Sequence, residues 1–260
     1  MSPLTAVALA ALSAAVAWLA GSLTAGGAVA ATLIGTAVLV GAGWPGGAAL
    51  AAFFVSSSAV SRIGPAVPPA GDAKGNRRDH RQVLANGGPA ALGALIGRGE
   101  AGLALWIVTA SLAAAAADTW ATSAGAWSRV MPRHLLTWRQ VPAGTGGGVT
   151  LLGCLGALCG ALVVAGAGAV SGADHRLWLT AAIGFGGMFV DSALGAAAQG
   201  HFRCSACGEQ SEWPIHRCGA TTTLEGGWQW LDNDGVNALA TTLAAVGGWA
   251  SWVWLSARLS

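Results

Sequence analysis

The chain has 260 residues, of which 54% are hydrophobic and 9% charged, with a formal net charge of +2 at pH 7. A soluble domain carries about a quarter charged residues, so this composition excludes a soluble globular protein and points to an integral membrane protein. The small positive balance gives no ground for a nucleic-acid partner; the basic residues are topology signals first.

Apolar runs at 4–21, 25–42, 46–60, 83–97, 101–118, 148–170, 177–198 and 235–255 predict an all-α, polytopic transmembrane helix bundle. The runs at 46–60 and 83–97 are short for a span of ~20 residues, so the expectation is about eight helices, roughly seven to nine. They form a single transmembrane domain over 1–260. The first run has no basic flank and leads at once into the second, so it reads as a retained helix rather than a signal peptide. The first three helices hold no ionisable group and read as scaffold.

Charge placement orients the bundle. The loops 61–82, 119–147 and 199–234 hold Arg62, Lys74, Arg77, Arg78, Arg81, Arg129, Arg133, Arg139, Arg203 and Arg217, against Arg98, Arg176 and Arg258 on the other side. The positive-inside rule makes the long loops cytoplasmic and both termini external, in a multi-pass protein of the cell (inner) membrane. Tryptophans 120, 127, 138, 213, 228 and 230 fall in these cytoplasmic segments and read as interfacial markers.

Asp118 and Asp191 stand alone in apolar runs, where an ionised carboxylate costs several kcal/mol and signals function. From the run ends, Asp191 is expected roughly 10 Å inside its helix and Asp118 near the surface. Three outward-running helices are expected to open on glycine-rich polar turns: Asn86-Gly87-Gly88, Thr145-Gly146-Gly147-Gly148 and Asn233-Asp234-Gly235-Val236-Asn237. Any one of these turns is better explained as a helix start. Three on one face, beside Arg77, Arg78 and Arg81, favour phosphate binding by free N–H groups and helix dipoles. Gly153, Gly156 and Gly160 read as a close-packing stripe.

Cys204, Cys207, His216 and Cys218 supply four soft ligands within fifteen residues. Three thiolates and an imidazole suit a closed tetrahedral Zn²⁺ site, structural rather than catalytic, in a cytoplasmic insert at 199–218. Gly144-Thr-Gly-Gly-Gly-Val-Thr150 lacks the lysine of a P-loop, and no Gly-x-Ser-x-Gly or His-Glu-x-x-His pattern occurs.

Five motifs then fall in a familiar order: Arg77-Arg78-Asp79 with Gln82-Val-Leu-Ala-Asn86-Gly87-Gly88, Asp118-Thr-Trp-Ala-Thr122, Gly144-Thr-Gly-Gly-Gly-Val-Thr-Leu-Leu-Gly153, Asp191-Ser-Ala-Leu-Gly195, and Asn233-Asp234-Gly-Val-Asn237. From about residue 70 onward the chain resembles a family of integral membrane proteins that includes the phytyl-phosphate kinases of tocopherol synthesis. The resemblance implies an Mg²⁺-dependent membrane kinase, with nucleoside triphosphate (CTP) and an isoprenoid monophosphate as partners. Asp118, Asp191 and Asp234 would then hold Mg²⁺, with Arg77 and Arg78 beside them at the reacting phosphates. Lys74, Arg81, Gln82, Asn86, Gly87, Gly88, Thr122, Thr145, Gly146, Gly147, Asn233 and Asn237 would bind nucleotide and phosphate. The chain departs from the family at Ser123, where a glutamate is common. Two other functions fit the residue inventory: nucleotidyl transfer to a lipid phosphate, and transport coupled to protons or cations through the intramembrane acids.

Overall fold

The computed structural model describes residues 1–63, 77–100, 102–169, 178–211, 213–216 and 218–259. Among these residues seven helices follow one another: α1 (Pro3–Leu19), α2 (Ala25–Ile63), α3 (His80–Ile96), α4 (Leu103–Gly125), α5 (Leu151–Ala169), α6 (Trp178–Ala197) and α7 (Asn233–Leu259). Of these, α2 and α4 to α7 are long and apolar enough to cross a membrane. The all-α expectation holds for the bundle, to which two small antiparallel sheets are added. One pairs β1 (Arg133–His134) with β2 (Gly148–Val149). The other has the order β4-β3-β5, from β3 (His201–Cys204), β4 (Gln210–Ser211) and β5 (Thr222–Gly226).

The 39 residues of α2 would reach ~58 Å if straight, far more than a bilayer core needs. They double back instead. Gly43 takes φ 65° and ψ −157°, a backbone region open essentially only to glycine, just before Pro45. Arg62, near the end of α2, donates to the Ala20 carbonyl (3.0 Å) and to Ser22 Oγ (2.7 Å), just before its start. Leu50 likewise comes up against Gly35. The two limbs match the separate apolar runs at 25–42 and 46–60, so seven helices, one of them doubled, give eight limbs.

The centre of the bundle is α4. Every residue from Leu103 to Ala117 is buried, and α2, α3, α5, α6 and α7 all pack around it. A helix apolar on all sides belongs in such a position. Its alanines allow the neighbours to approach to backbone distance, and glycines on those neighbours meet them. A Cβ on Gly184 or Gly187 of α6 would lie 2.4 Å from the Ala113 Cβ or 2.6 Å from the Ala114 Cβ. On α5, Gly153, Gly156 and Gly160 meet the carbonyls of Ala121, Trp120 and Ala116. The close-packing reading of that glycine stripe holds.

Three expected helix boundaries need correction. A capping box starts α3 at His80: Asp79 accepts from the Gln82 N–H (2.9 Å), and Gln82 Oε1 accepts from the Asp79 N–H (3.3 Å). Asn86-Gly87-Gly88 is therefore helix interior rather than a helix start, with the Asn86 side chain on the Gln82 carbonyl and Gly87 against Ile34. Likewise Gly148 belongs to a strand; α5 begins at Leu151, where Thr150 Oγ1 accepts from the Gly153 N–H (3.0 Å). Finally, α4 continues to Gly125 because its Thr and Ser residues face a polar interior instead of lipid.

Pro89 lies inside α3 and has no N–H to offer the Ala85 carbonyl. The buried Thr241 hydroxyl of α7 lies 2.9 Å from that carbonyl and shares its one proton between it and the Asn237 carbonyl of its own helix (2.8 Å). The bond ties α3 directly to the last helix.

Gly184→Ala and Gly186→Ala form a matched pair, because a Cβ at Gly186 meets nothing within 4 Å. Overpacking predicts a loss of about 1–3 kcal/mol for Gly184→Ala and near neutrality for Gly186→Ala, measured by thermal unfolding in detergent. Equal effects would contradict the packing described for α4 and α6.

Candidate functional site

The chain path puts the ends of α2, α4 and α6 and the starts of α3, α5 and α7 at one end of the bundle. There they surround a cavity of about 860 Å³, walled further by residues 132–150 and by the β4-β3-β5 insert. Both termini lie at the opposite end, since α1 runs toward the Ala20–Thr24 turn at the cavity end and α7 starts at the cavity.

Two carboxylates face the cavity at matched depth. Because α4 and α6 run in the same direction, the contacts Gly184–Ala113 and Gly187–Ala114 bring Asp191 and Asp118 to one level. Asp118 lies seven residues before the end of α4 and Asp191 six before the end of α6, or about 10 Å and 9 Å respectively. The depth expected for Asp191 agrees with this, whereas the shallow placement expected for Asp118 is corrected, because α4 runs past the apolar stretch. Asp191 Oδ2 is buried with no hydrogen-bond partner. A buried acceptor of this kind costs free energy until something fills its site.

Opposite charge is supplied by Arg78. Its guanidinium lies 5.4 Å and 5.7 Å from the ring centres of Phe53 and Phe54, and it lines the cavity. Burial lowers its pKa to about 10, so it stays cationic at pH 7. Three helix starts also converge, contributing Gln82 of α3, Thr150 ahead of α5, and Asn233, Asp234 and Asn237 of α7. Asp232 caps α7 by accepting from the Gly235 N–H (2.9 Å), and Arg81 pairs with Asp232 (2.6 Å) and reaches Asp234 (3.8 Å).

Most residues singled out in the sequence line this cavity: Asp118, Asp191, Asp234, Arg78, Gln82, Asn86, Thr122, Thr145, Gly146, Gly147, Asn233 and Asn237. Others do not. The Arg77 guanidinium is turned away and donates to the Leu23 carbonyl (2.9 and 3.1 Å), fixing the α1–α2 turn. Arg81 is occupied by Asp232, Gly87 packs into the bundle, and Gly88 faces open space on α3. Lys74 lies outside the described residues. Trp120 is no interfacial marker either: its indole N–H points to Ser56 Oγ (3.4 Å), and its ring covers Gly160.

The cavity also holds polar residues that the sequence motifs do not mark, including His134, Gln199 and His201, and Ser192, which lies within the Asp191 motif but was assigned no role. His201 Nε2 is 3.1 Å from the Gly195 carbonyl. Its position six residues after Gly195, at the exit of the Asp191 helix, was the available signal. Ser123, at the position where a glutamate is common, is buried in the cavity wall.

The insert builds a second centre. Cys204 ends β3 and Cys207 sits in the turn that follows it, and a second turn carries His216 and Cys218. Their ligand atoms all lie within 4.8 Å of one another, so the four residues could hold a metal ion. The Cys204 and Cys218 sulfurs are 3.5 Å apart, and His216 Nδ1 is 3.1 Å from Cys218 Sγ. Sulfurs around a tetrahedral zinc stand about 3.8 Å apart, so the set is already near that shape. The Cys207 backbone N–H at Cys204 holds that thiol down at about 7, which favours the ligating thiolate. Glu209 Oε2 lies 3.5 Å from His216 Nε2, where a carboxylate orients a ligating imidazole. The strands carry this unit on to Gly226, beyond the 199–218 range expected from ligand spacing. Gly227, with φ 73°, docks it: a Cβ there would meet the Gln199 carbonyl.

A multi-pass helical bundle with a polar, carboxylate-bearing cavity at one end and a Cys/His insert beside it defines the class as an integral membrane protein. The family model described as integral membrane protein DUF92 matches residues 8–245, and the chain belongs to that family. It is 30% identical over 238 residues to Protein PGR of Arabidopsis thaliana, covering 78% of this chain and 80% of the relative. It is 32% identical over 148 residues to Uncharacterized membrane protein MJ0933 of Methanocaldococcus jannaschii, covering 56% of this chain and 62% of the relative. No solved structure matches it.

Elemental analysis of protein purified without added metal should find a stoichiometric metal ion that Cys204→Ser and Cys218→Ser remove. Folded wild-type protein that contains no metal and binds none in titration would exclude the centre.

Proposed function

We propose that the protein is a membrane kinase that transfers a phosphoryl group from a nucleoside triphosphate, CTP in the resemblance, to an isoprenoid monophosphate. The observation that carries this reading is the pairing of level carboxylates with a half-buried arginine around one polar cavity at a single end of the bundle. The acceptor is already an anionic phosphate, so it needs no strong general base. A nonbridging oxygen of the monophosphate attacks the γ-phosphorus, the bond to the β–γ bridging oxygen breaks, and nucleoside diphosphate leaves. Catalysis then rests on positioning and charge neutralisation.

Asp118 and Asp191, with Asp234 at the α7 start, are the donor set for Mg²⁺, which when bound neutralises phosphate charge; the unpartnered Asp191 oxygen fits such a role. Arg78 counters the acceptor or transferred phosphate. Asn86, Thr145, Gly146, Gly147, Asn233 and Asn237 give donors and close backbone approach, and the three helix starts favour anions. The metal of the Cys/His insert is zinc in this reading and has a structural role. Among the described residues, basic side chains cluster at the cavity end and only Arg98 and Arg258 lie at the other. The positive-inside rule therefore makes the cavity cytoplasmic and the termini external.

Purified protein incubated with Mg²⁺, a panel of nucleotides and prenyl phosphates of several lengths should yield prenyl diphosphate and nucleoside diphosphate by mass spectrometry. Pyrophosphate with a nucleotidyl lipid would replace the kinase reading by nucleotidyl transfer, and neither product from any pair would defeat both. Asp191→Asn should lower turnover by roughly a hundredfold or more while the protein stays folded in detergent. Full activity in that variant would remove Asp191 from the metal site.

A further inference from the structure

The segment between α4 and α5 carries a surface that the cavity does not use. From Ser128 to Gln140 the chain forms a finger rooted on the β1–β2 pair, where Arg133 faces Val149 and His134 faces Gly148. The finger is held by short local bonds: His134 N–H to the Arg139 carbonyl (2.8 Å), Trp138 N–H to the His134 carbonyl (2.7 Å), and Arg133 Nη1 to the Trp138 carbonyl (3.0 Å). Trp138 has φ 59°, the one non-glycine residue with positive φ among the described residues. For a bulky side chain this backbone is costly and persists only where its surroundings enforce it.

Enforcing that conformation leaves large apolar side chains in the open. Val130, Met131, Leu136 and Trp138 are 69, 52, 57 and 61% exposed, although they lie in a connecting segment rather than a membrane-spanning helix. Arg129 and Arg139 are exposed beside them, and the stretch 119–147 contains no Asp or Glu. The root of the finger is two residues from the start of α5, whose Leu151 and Leu155 are exposed along the lipid-facing side of the bundle. An apolar tip flanked by cations, continuous with a membrane-facing helix, has the chemistry of an interfacial anchor that meets negatively charged headgroups.

We infer that the 128–140 finger docks on anionic lipid at the membrane surface, its apolar tip dipping below the headgroups and Arg129 and Arg139 pairing with lipid phosphates. The inverse side of the same segment, through Pro132 and His134, lines the cavity, so the docked lipid headgroups stand at the cavity wall. The inference requires the membrane-spanning architecture but not the proposed chemistry, and its test uses no turnover measurement.

Hydroxyl-radical footprinting with mass spectrometry on the full chain, in nanodiscs with and without anionic phospholipid, reads the contact directly. Met131 and Trp138 should be oxidised more slowly in anionic than in neutral nanodiscs, while Trp228 and Trp230, which stack on each other elsewhere, serve as the reference. In the Arg129→Gln/Arg139→Gln protein the preference for anionic lipid should fall roughly fivefold for each arginine removed. Met131 and Trp138 oxidised as fast in nanodiscs as in detergent would overturn the inference. So would protection independent of lipid charge and unchanged in the double variant, which would point to a protein contact.

Discussion

The structure depends on how closely other helices can approach α4. Apolar side chains gain little by leaving lipid for another helix, so association in a bilayer rests on packing and on polar contacts. A helix lined with alanine from Ala113 to Ala117 gives its neighbours a smooth wall, and glycines on α3, α5, α6 and α7 close against it. These contacts also set the chemistry. Because Gly184 and Gly187 seat α6 on α4 at fixed height, the carboxylates one turn further on are held level without any direct bond between them. A bulkier interface would separate the helices and the acids together.

Charge is distributed to match. At the far end α2 reverses at Gly43, whereas among the described residues the cavity end receives the sheets and most of the arginines. Several of these arginines are structural rather than free. Arg62 and Arg77 clamp the α1–α2 turn, and Arg81 steadies the acid that caps α7. Among the described residues that leaves Arg78, partly shielded by two phenylalanines, as a cation lining the cavity. A cation in such partial shelter acts on an incoming anion with less screening than one in bulk water.

How much was legible in the sequence depended on what each residue had to face. Apolar runs located the limbs, including both halves of α2, because lipid contact demands hydrophobic side chains. Helix ends that face a polar cavity obey no such demand. The continuation of α4 through Thr119 to Gly125 therefore looked like loop, and the depth of Asp118 was misjudged with it. The start of α3 was encoded, since Asp79 and Gln82 have capping-box spacing, but the Asn86-Gly87-Gly88 turn drew attention six residues too far along. Arg77 and Arg78 are adjacent and chemically alike; only the fold shows that one holds a backbone carbonyl and the other enters the cavity. The four Cys/His ligands were readable because metal geometry restricts both residue type and spacing. Their surrounding sheet was not, because its strands are only two to five residues long.

Pro89 and Thr241 have a consequence for assembly. During synthesis α3 enters the membrane long before α7, and until then the Ala85 carbonyl has no helical partner in its own strand of chain. An exposed carbonyl in hydrocarbon is costed at several kcal/mol, so the half-made bundle carries a polar defect that its final helix removes. Docking of the last helix therefore covers a carbonyl that the third helix cannot satisfy through its own i+4 ladder, so the two ends of the chain's core share one polar contact.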